Sequence, residues 1–164
     1  MDEAGIDWKR LVAVREQHKT RSAGVVTRER AAAQESLAAL EQARELHERE
    51  QQGKSSHWQA LQASFAAGQC DVSQLRTASA WSGALDAQIA QAHAKALAAA
   101  RAHAQQEEVL ERSRQALRTA SAKLEKATQM KERAAGERLR VAEMRLEDSA
   151  DEAGSQAWAA RRAA

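Results

Sequence analysis

The chain contains no proline, one cysteine, seven glycines and five aromatic residues among 164 positions. Without proline, nothing removes a backbone donor or wedges a ring into a preceding turn, so no helix is interrupted on that account. A single cysteine, Cys70, excludes an internal disulfide and fits a reducing compartment. Large apolar residues are also scarce: 13 Leu, 7 Val, 2 Ile and 1 Phe. Most of the 43% hydrophobic content is alanine. Charge of one sign is missing too, since 25 basic and 23 acidic residues leave a formal net charge of +2. These signs interleave: 11 basic and 8 acidic residues stand between Arg101 and Glu147, and 9 and 8 between Asp7 and Gln52. A nucleic-acid surface calls for a one-signed stripe, whereas interleaving reads as the solvated flanks of a coiled coil. No run approaches 18 consecutive apolar residues, so no membrane span is expected. The acidic start, Met1-Asp2-Glu3-Ala4-Gly5, is not that of a signal peptide. The expected location is therefore cytoplasmic, or wherever a partner holds the chain.

What is present is helical rhythm. Leu110, Leu117 and Leu124 stand seven apart, and Ser113, Ala120, Ala127, Ala134 and Val141 fill a second register three positions on. In the first third, Val12, Lys19, Val26, Ala33, Leu40 and His47 are likewise seven apart. Such repeats in Ala, Leu, Glu, Gln, Arg and Lys describe long helices with a thin apolar seam. A segment of about 75 residues would run roughly 110 Å as one helix. The spacing from Leu124 to Leu139 is one residue more than two heptads, which shifts the stripe around the helix.

The punctuation predicts an all-α fold: an antiparallel two-helix coiled-coil hairpin with a short helical segment at its tip and a longer second helix. Asp7 is the expected N-cap of a first helix over 7–52, and Gly53 its C′ residue. Gly53-Lys54-Ser55-Ser56 reads as a turn, and Ser56-His57-Trp58-Gln59 as a capping box. The tip, 53–72, then holds a short helix with Trp58, Leu61 and Phe65 on one face, ended by Gly68. Asp71-Val72-Ser73-Gln74 starts the second helix, expected over 73–148, with a tail over 149–164 in which Ser155 to Ala164 is either a loose final turn of helix or irregular. Folding about the tip would set Leu46 near Ser79 and Trp8 near Leu117. The stretch from Arg118 to Glu147 would then lack a partner within the chain.

The chemistry of catalysis is absent from the sequence. There is no phosphate loop, no His-Glu-x-x-His, no Cys-x-x-Cys and no glycine-rich fingerprint. The five histidines do not stand three or four apart, so metal ligands would have to converge from separate helices. The expectation is a protein that is not an enzyme, with no cofactor, no metal and no catalytic residue. The candidate partner-binding residues are Trp58, Phe65 and Trp81 at the tip, and Leu124, Met130, Leu139, Val141 and Leu146 along the unpaired stripe. The alternative is that the three tip aromatics pack together as a small core closing the hairpin, and both readings hold if one ring stays partly exposed.

Two proline-free helices of unequal length, seams rich in Ala, Gln, Arg and Glu, and the ending Ala157-Trp158-Ala159-Ala160-Arg161-Arg162-Ala163-Ala164 resemble the FliJ/YscO family. These are the central-stalk proteins of flagellar and virulence-associated type III secretion in bacteria. The resemblance covers essentially the whole chain and is architectural; no motif carries residues over one by one. It implies a coiled coil that inserts into a hexameric export ATPase and links it to an export-gate protein in the membrane, with export chaperones as further partners. Under that resemblance the helix ends and 118–147 would face the ring, and the tip around Trp58, Phe65 and Trp81 the gate. Two other classes fit the same residues: a homodimeric coiled-coil scaffold, and a helical chaperone or adaptor covering an apolar helix of a client.

Overall fold

The computed structural model describes residues 7–162. These form two helices, α1 (Trp8–Ala66) and α2 (Val72–Arg162), with no strand among the described residues. The fold is an all-α two-helix hairpin whose second helix, at 91 residues, is much longer than the 59 of the first.

Both helix starts are built as the sequence predicts. Asp7 caps α1, its Oδ1 accepting from the Arg10 amide at 3.0 Å. Asp71 caps α2, its Oδ1 accepting from the Gln74 amide at 2.9 Å and from Ser73 Oγ at 2.7 Å. Gln74 Oε1 in turn accepts from the Asp71 amide at 3.0 Å, which completes a reciprocal capping box. These bonds hold the Asp71 carboxyl below its ordinary value of 3.8; the backbone bond from Gln74 contributes most and the Ser73 hydroxyl next.

The end of α1 falls elsewhere than expected. Gly53 is not a C′ residue, and Gly53-Lys54-Ser55-Ser56 is not a turn: all four lie inside α1. A mid-helix glycine costs about 1 kcal/mol relative to alanine. Breaking the helix there would cost more, because Lys54, Trp58, Leu61 and Ser64 lie on the covered side of α1, at least partly shielded from solvent. The proposed capping box at Ser56 therefore never forms, and the short tip helix is the last part of α1. The true stop is Gly68, at φ +70°. Its amide donates to the Phe65 carbonyl and the Gln69 amide to the Ser64 carbonyl, both at 3.0 Å. That double bond pattern is a Schellman ending, for which glycine in the left-handed region is suited.

The hairpin turn is thus only the few residues between Ala66 and Val72, and the pairing register moves with it. His47 faces His93, Ser36 faces His103, and Lys54 pairs with Asp86. Leu46 accordingly lies at the level of His93, not of Ser79. The far end of α2 also departs from expectation. It is helical through 149–162, where the sequence predicts a tail over 149–164, because Ala157, Ala159 and Ala160 are strong helix formers and Arg161 and Arg162 complement the last turn; positions 163 and 164 of that expected tail lie outside the described residues.

The helices divide into two compact units, one comprising Gly24–Arg114 and the other joining α1 up to Ala23 to α2 from Gln115 onward. In the first, the covered row of α2 is 78, 82, 85, 89, 92, 96, 99, 103, 106, 110 and 113. Steps of four and three alternate along it without a break, which is the coiled-coil heptad. On α1 the covered row is 26, 29, 33, 36, 40, 43, 47, 50 and 54. The well-buried residues of this unit are Ala33, Leu40, Ala78, Ala92, Ala96 and Leu110. A seam so rich in alanine buries little apolar area per turn but lets backbones approach closely. In the second unit, Trp8, Leu11, Val12, Arg15, Ser22 and Ala23 are half-buried on α1. On α2, Ala120 and Ala127 are buried and Leu117, Leu124 and Thr128 half-buried.

Candidate functional site

Polar residues occupy the seam of the Gly24–Arg114 unit at intervals. Gln106 Nε2 donates to Glu29 Oε2 at 2.7 Å. Ser36 Oγ lies 2.9 Å from the Ala33 carbonyl and 3.0 Å from His103 Nδ1. With the hydroxyl proton directed at Ala33, the ring Nδ1–H donates to Oγ. The His47 and His93 rings stand 4.9 Å apart, centroid to centroid, tilted by 47°. Among the described residues no buried side chain is charged or polar, so these pairs keep partial access to water. An alanine seam tolerates sliding by a heptad, and such pairs fix which register is chosen. They are structural devices of alignment, and none makes a catalytic constellation.

Two exposed apolar surfaces remain among the described residues. The first is at the turn. Phe65, Val72, Leu75 and Trp81 are all exposed, Val72 at 63% and Trp81 at 61%. A groove of about 620 Å³ is lined by Gly53, His57 and Leu61 of α1 and by Ser73, Gln74, Thr77, Ala78, Trp81 and Leu85 of α2. Gly53 presents no side chain there, and nothing lies within 4 Å of where its Cβ would be. Between Lys54 and Asp86 the only Asp, Glu, Lys or Arg residues are Asp71 and Arg76, in a chain that is 29% charged overall. That charge-poor stretch was legible in the sequence and adds Val72, Leu75 and Leu85 to the three aromatics identified there. Trp58 is half-buried, whereas Phe65 and Trp81 are exposed. The three therefore do not all join one closed core.

The second surface is the end of α2. The stretch without cover is shorter and later than the predicted Arg118 to Glu147. Leu124, a candidate binding residue, is half-buried, because α1 packs within this unit over the part of α2 that includes Leu117 and Ala120. Cover fades after Gly136, and every residue from 137 to 162 is exposed. Leu139 is 66% and Leu146 70% exposed, with Val141 and Met144 also open; Met130, just before, is exposed at 39%. Continuing the seam row of α2 by heptads leads to Lys131, Arg138 and Arg145 at one position and to Ala134 and Val141 at the other. A longer apolar stripe runs beside it through Ala135, Leu139, Ala142, Leu146, Ala150 and Ala153. It is displaced by one residue, about 100° around the helix, and its three-and-four spacing approaches an eleven-residue repeat. Near its end Arg162 lies over the Trp158 ring at 4.5 Å, a cation–π contact one turn apart.

Among the described residues no group of three or more His, Cys, Asp or Glu is placed to hold a metal ion. No described helix is long and apolar enough to cross a membrane. No protein-family model, curated protein or solved structure matches the chain.

Proposed function

We propose that the chain is a non-enzymatic helical interaction protein, and specifically a central-stalk component of a type III export apparatus. In this reading the end of α2 enters a hexameric export ATPase and the turn region meets an export-gate protein. The observation that carries it is the uncovered end of α2, where Leu139 and Leu146 stand at 66% and 70% exposure in a helix that outlasts its partner. An apolar stripe of this kind on a water-exposed helix marks a surface that another protein covers. The charge-poor turn with Phe65, Val72 and Trp81 exposed supplies a second, separate surface, as a link between two partners requires.

The test is a cross-linking pull-down of the tagged chain from its native cells, with bound proteins identified by mass spectrometry. Recovery of a hexameric ATPase and a membrane gate subunit supports the stalk reading; their absence under conditions that recover other partners overturns it. Variants then assign the surfaces: Leu146→Asp should release the ATPase and Trp81→Ala the gate subunit.

A second reading, a parallel homodimer through the same end of α2, is favoured by one pattern. With Leu139, Ala142 and Leu146 at the seam, Arg138 and Glu143 occupy the flanking positions that meet across a parallel pair. A light-scattering mass of two chains that falls to one in Leu146→Asp would establish it.

A further inference from the structure

His47 on α1 and His93 on α2 come from opposite helices to a centroid separation of 4.9 Å, with the rings tilted by 47° rather than stacked flat. A zinc ion bound to one imidazole nitrogen lies about 2.0–2.1 Å from it and so roughly 3.2 Å from the ring centre. Two such rings on one ion have centres about 5.2 Å apart at the tetrahedral angle and about 4.5 Å apart at a right angle. The observed separation falls between these limits. The geometry points to a zinc-class site clipping α1 to α2, with His47 and His93 as its protein ligands.

The surroundings fit such a site. His47 is half-buried and His93 exposed, so an ion has a path from solvent. The χ2 torsion of histidine is broad, so each ring has rotational freedom to present a nitrogen to a shared ion. No third His, Cys, Asp or Glu completes the set among the described residues. The remaining positions go to water, which makes the site open and exchangeable rather than a closed four-ligand centre. Imidazole selects late first-row ions such as zinc and excludes magnesium and calcium, which take oxygen ligands. Because the two ligands sit on different helices at one level, binding requires the paired hairpin and stabilises it.

The experiment is thermal unfolding of the full chain, followed by circular dichroism, with zinc chloride against a chelator. With zinc at about five times its dissociation constant, the midpoint should rise by roughly 2–4 °C. His47→Ala and His93→Ala should each abolish the rise, His57→Ala should keep it, and magnesium should produce none. Ring proton resonances supply an independent reading: zinc should shift those of His47 and His93 together and leave His57 in place. An equal rise in His93→Ala, or no rise and no ring shifts at millimolar zinc, overturns the proposal.

Discussion

Gln106 of α2 reaches Glu29 of α1 across 77 residues of sequence, its amide nitrogen 2.7 Å from the carboxylate and 3.5 Å from the Glu29 carbonyl. In a seam with so few large side chains, this pair ties one level of α1 to one level of α2. Glu29→Ala and Gln106→Ala should each destabilise the hairpin, and the double variant should lose less than their sum. The coupling expected for such a partly exposed hydrogen bond is about 0.5–1.5 kcal/mol. Denaturant titration of the four proteins measures it, and full additivity would show that the pair does not act as a unit.

Among the described residues, Leu40 and Leu110 are the only large side chains that are well buried, at 5% and 3% exposure. Leu110→Ala or Leu40→Ala should cost about 2–3 kcal/mol, at the lower end for a buried leucine because a two-helix seam can close around the gap. Leu117→Asp, at a half-buried position, should also lower the midpoint by placing a charge in the seam. Leu139→Asp and Leu146→Asp, on the uncovered end, should leave stability within about 0.5 kcal/mol. Chemical denaturation separates the two groups.

Gly53 and Gly68 should respond in opposite directions. Gly53 is helical with open space where a Cβ would stand, so Gly53→Ala should stabilise by about 0.5–1 kcal/mol. Gly68 holds φ at +70°, so Gly68→Ala should destabilise by about 1 kcal/mol through left-handed strain at the helix stop. Thermal midpoints of the two variants check the pair.

The cap of α2 makes a pH prediction. The Asp71 carboxyl is held below its ordinary 3.8 by the Gln74 amide and the Ser73 hydroxyl. A carboxyl lowered on folding stabilises fully above its unfolded value. That stabilisation fades as pH drops below the unfolded value and is gone once pH has passed the folded one. Wild type should therefore lose more stability than Asp71→Asn in acid below about pH 4. Asparagine still caps the helix, so the two should differ little at neutral pH. Parallel acid titrations followed by circular dichroism would show it.

The candidate surfaces were only partly legible in the sequence. Phe65 and Trp81 were identified as tip residues and are exposed there. Trp58, identified with them, lies half-buried in a helix that passes through the expected turn. Gly53-Lys54-Ser55-Ser56 looked like a turn because local propensity weighs each residue alone. The partial cover that Trp58 and Leu61 gain in the folded hairpin is invisible at that level. The point of reversal moved by about 7 residues, which moved every cross-chain partner by about 14, as Leu46 shows in passing from Ser79 to the level of His93, and so Leu124 passed from the expected open stripe to the covered seam. The approach of His47 to His93 depends on the same register and had no local signal.

The sequence by itself determined the all-helical class, both helix starts and the stop at Gly68. Absent proline, heptad spacing, the carboxylates of Asp7 and Asp71 and one left-handed glycine act over a turn or two of chain, within reach of local chemistry. Tertiary structure alone decided which residues meet, because an alanine seam repeats nearly identically every seven residues. Register then rests on where the chain reverses and on sparse pairs such as Glu29 with Gln106 and Lys54 with Asp86.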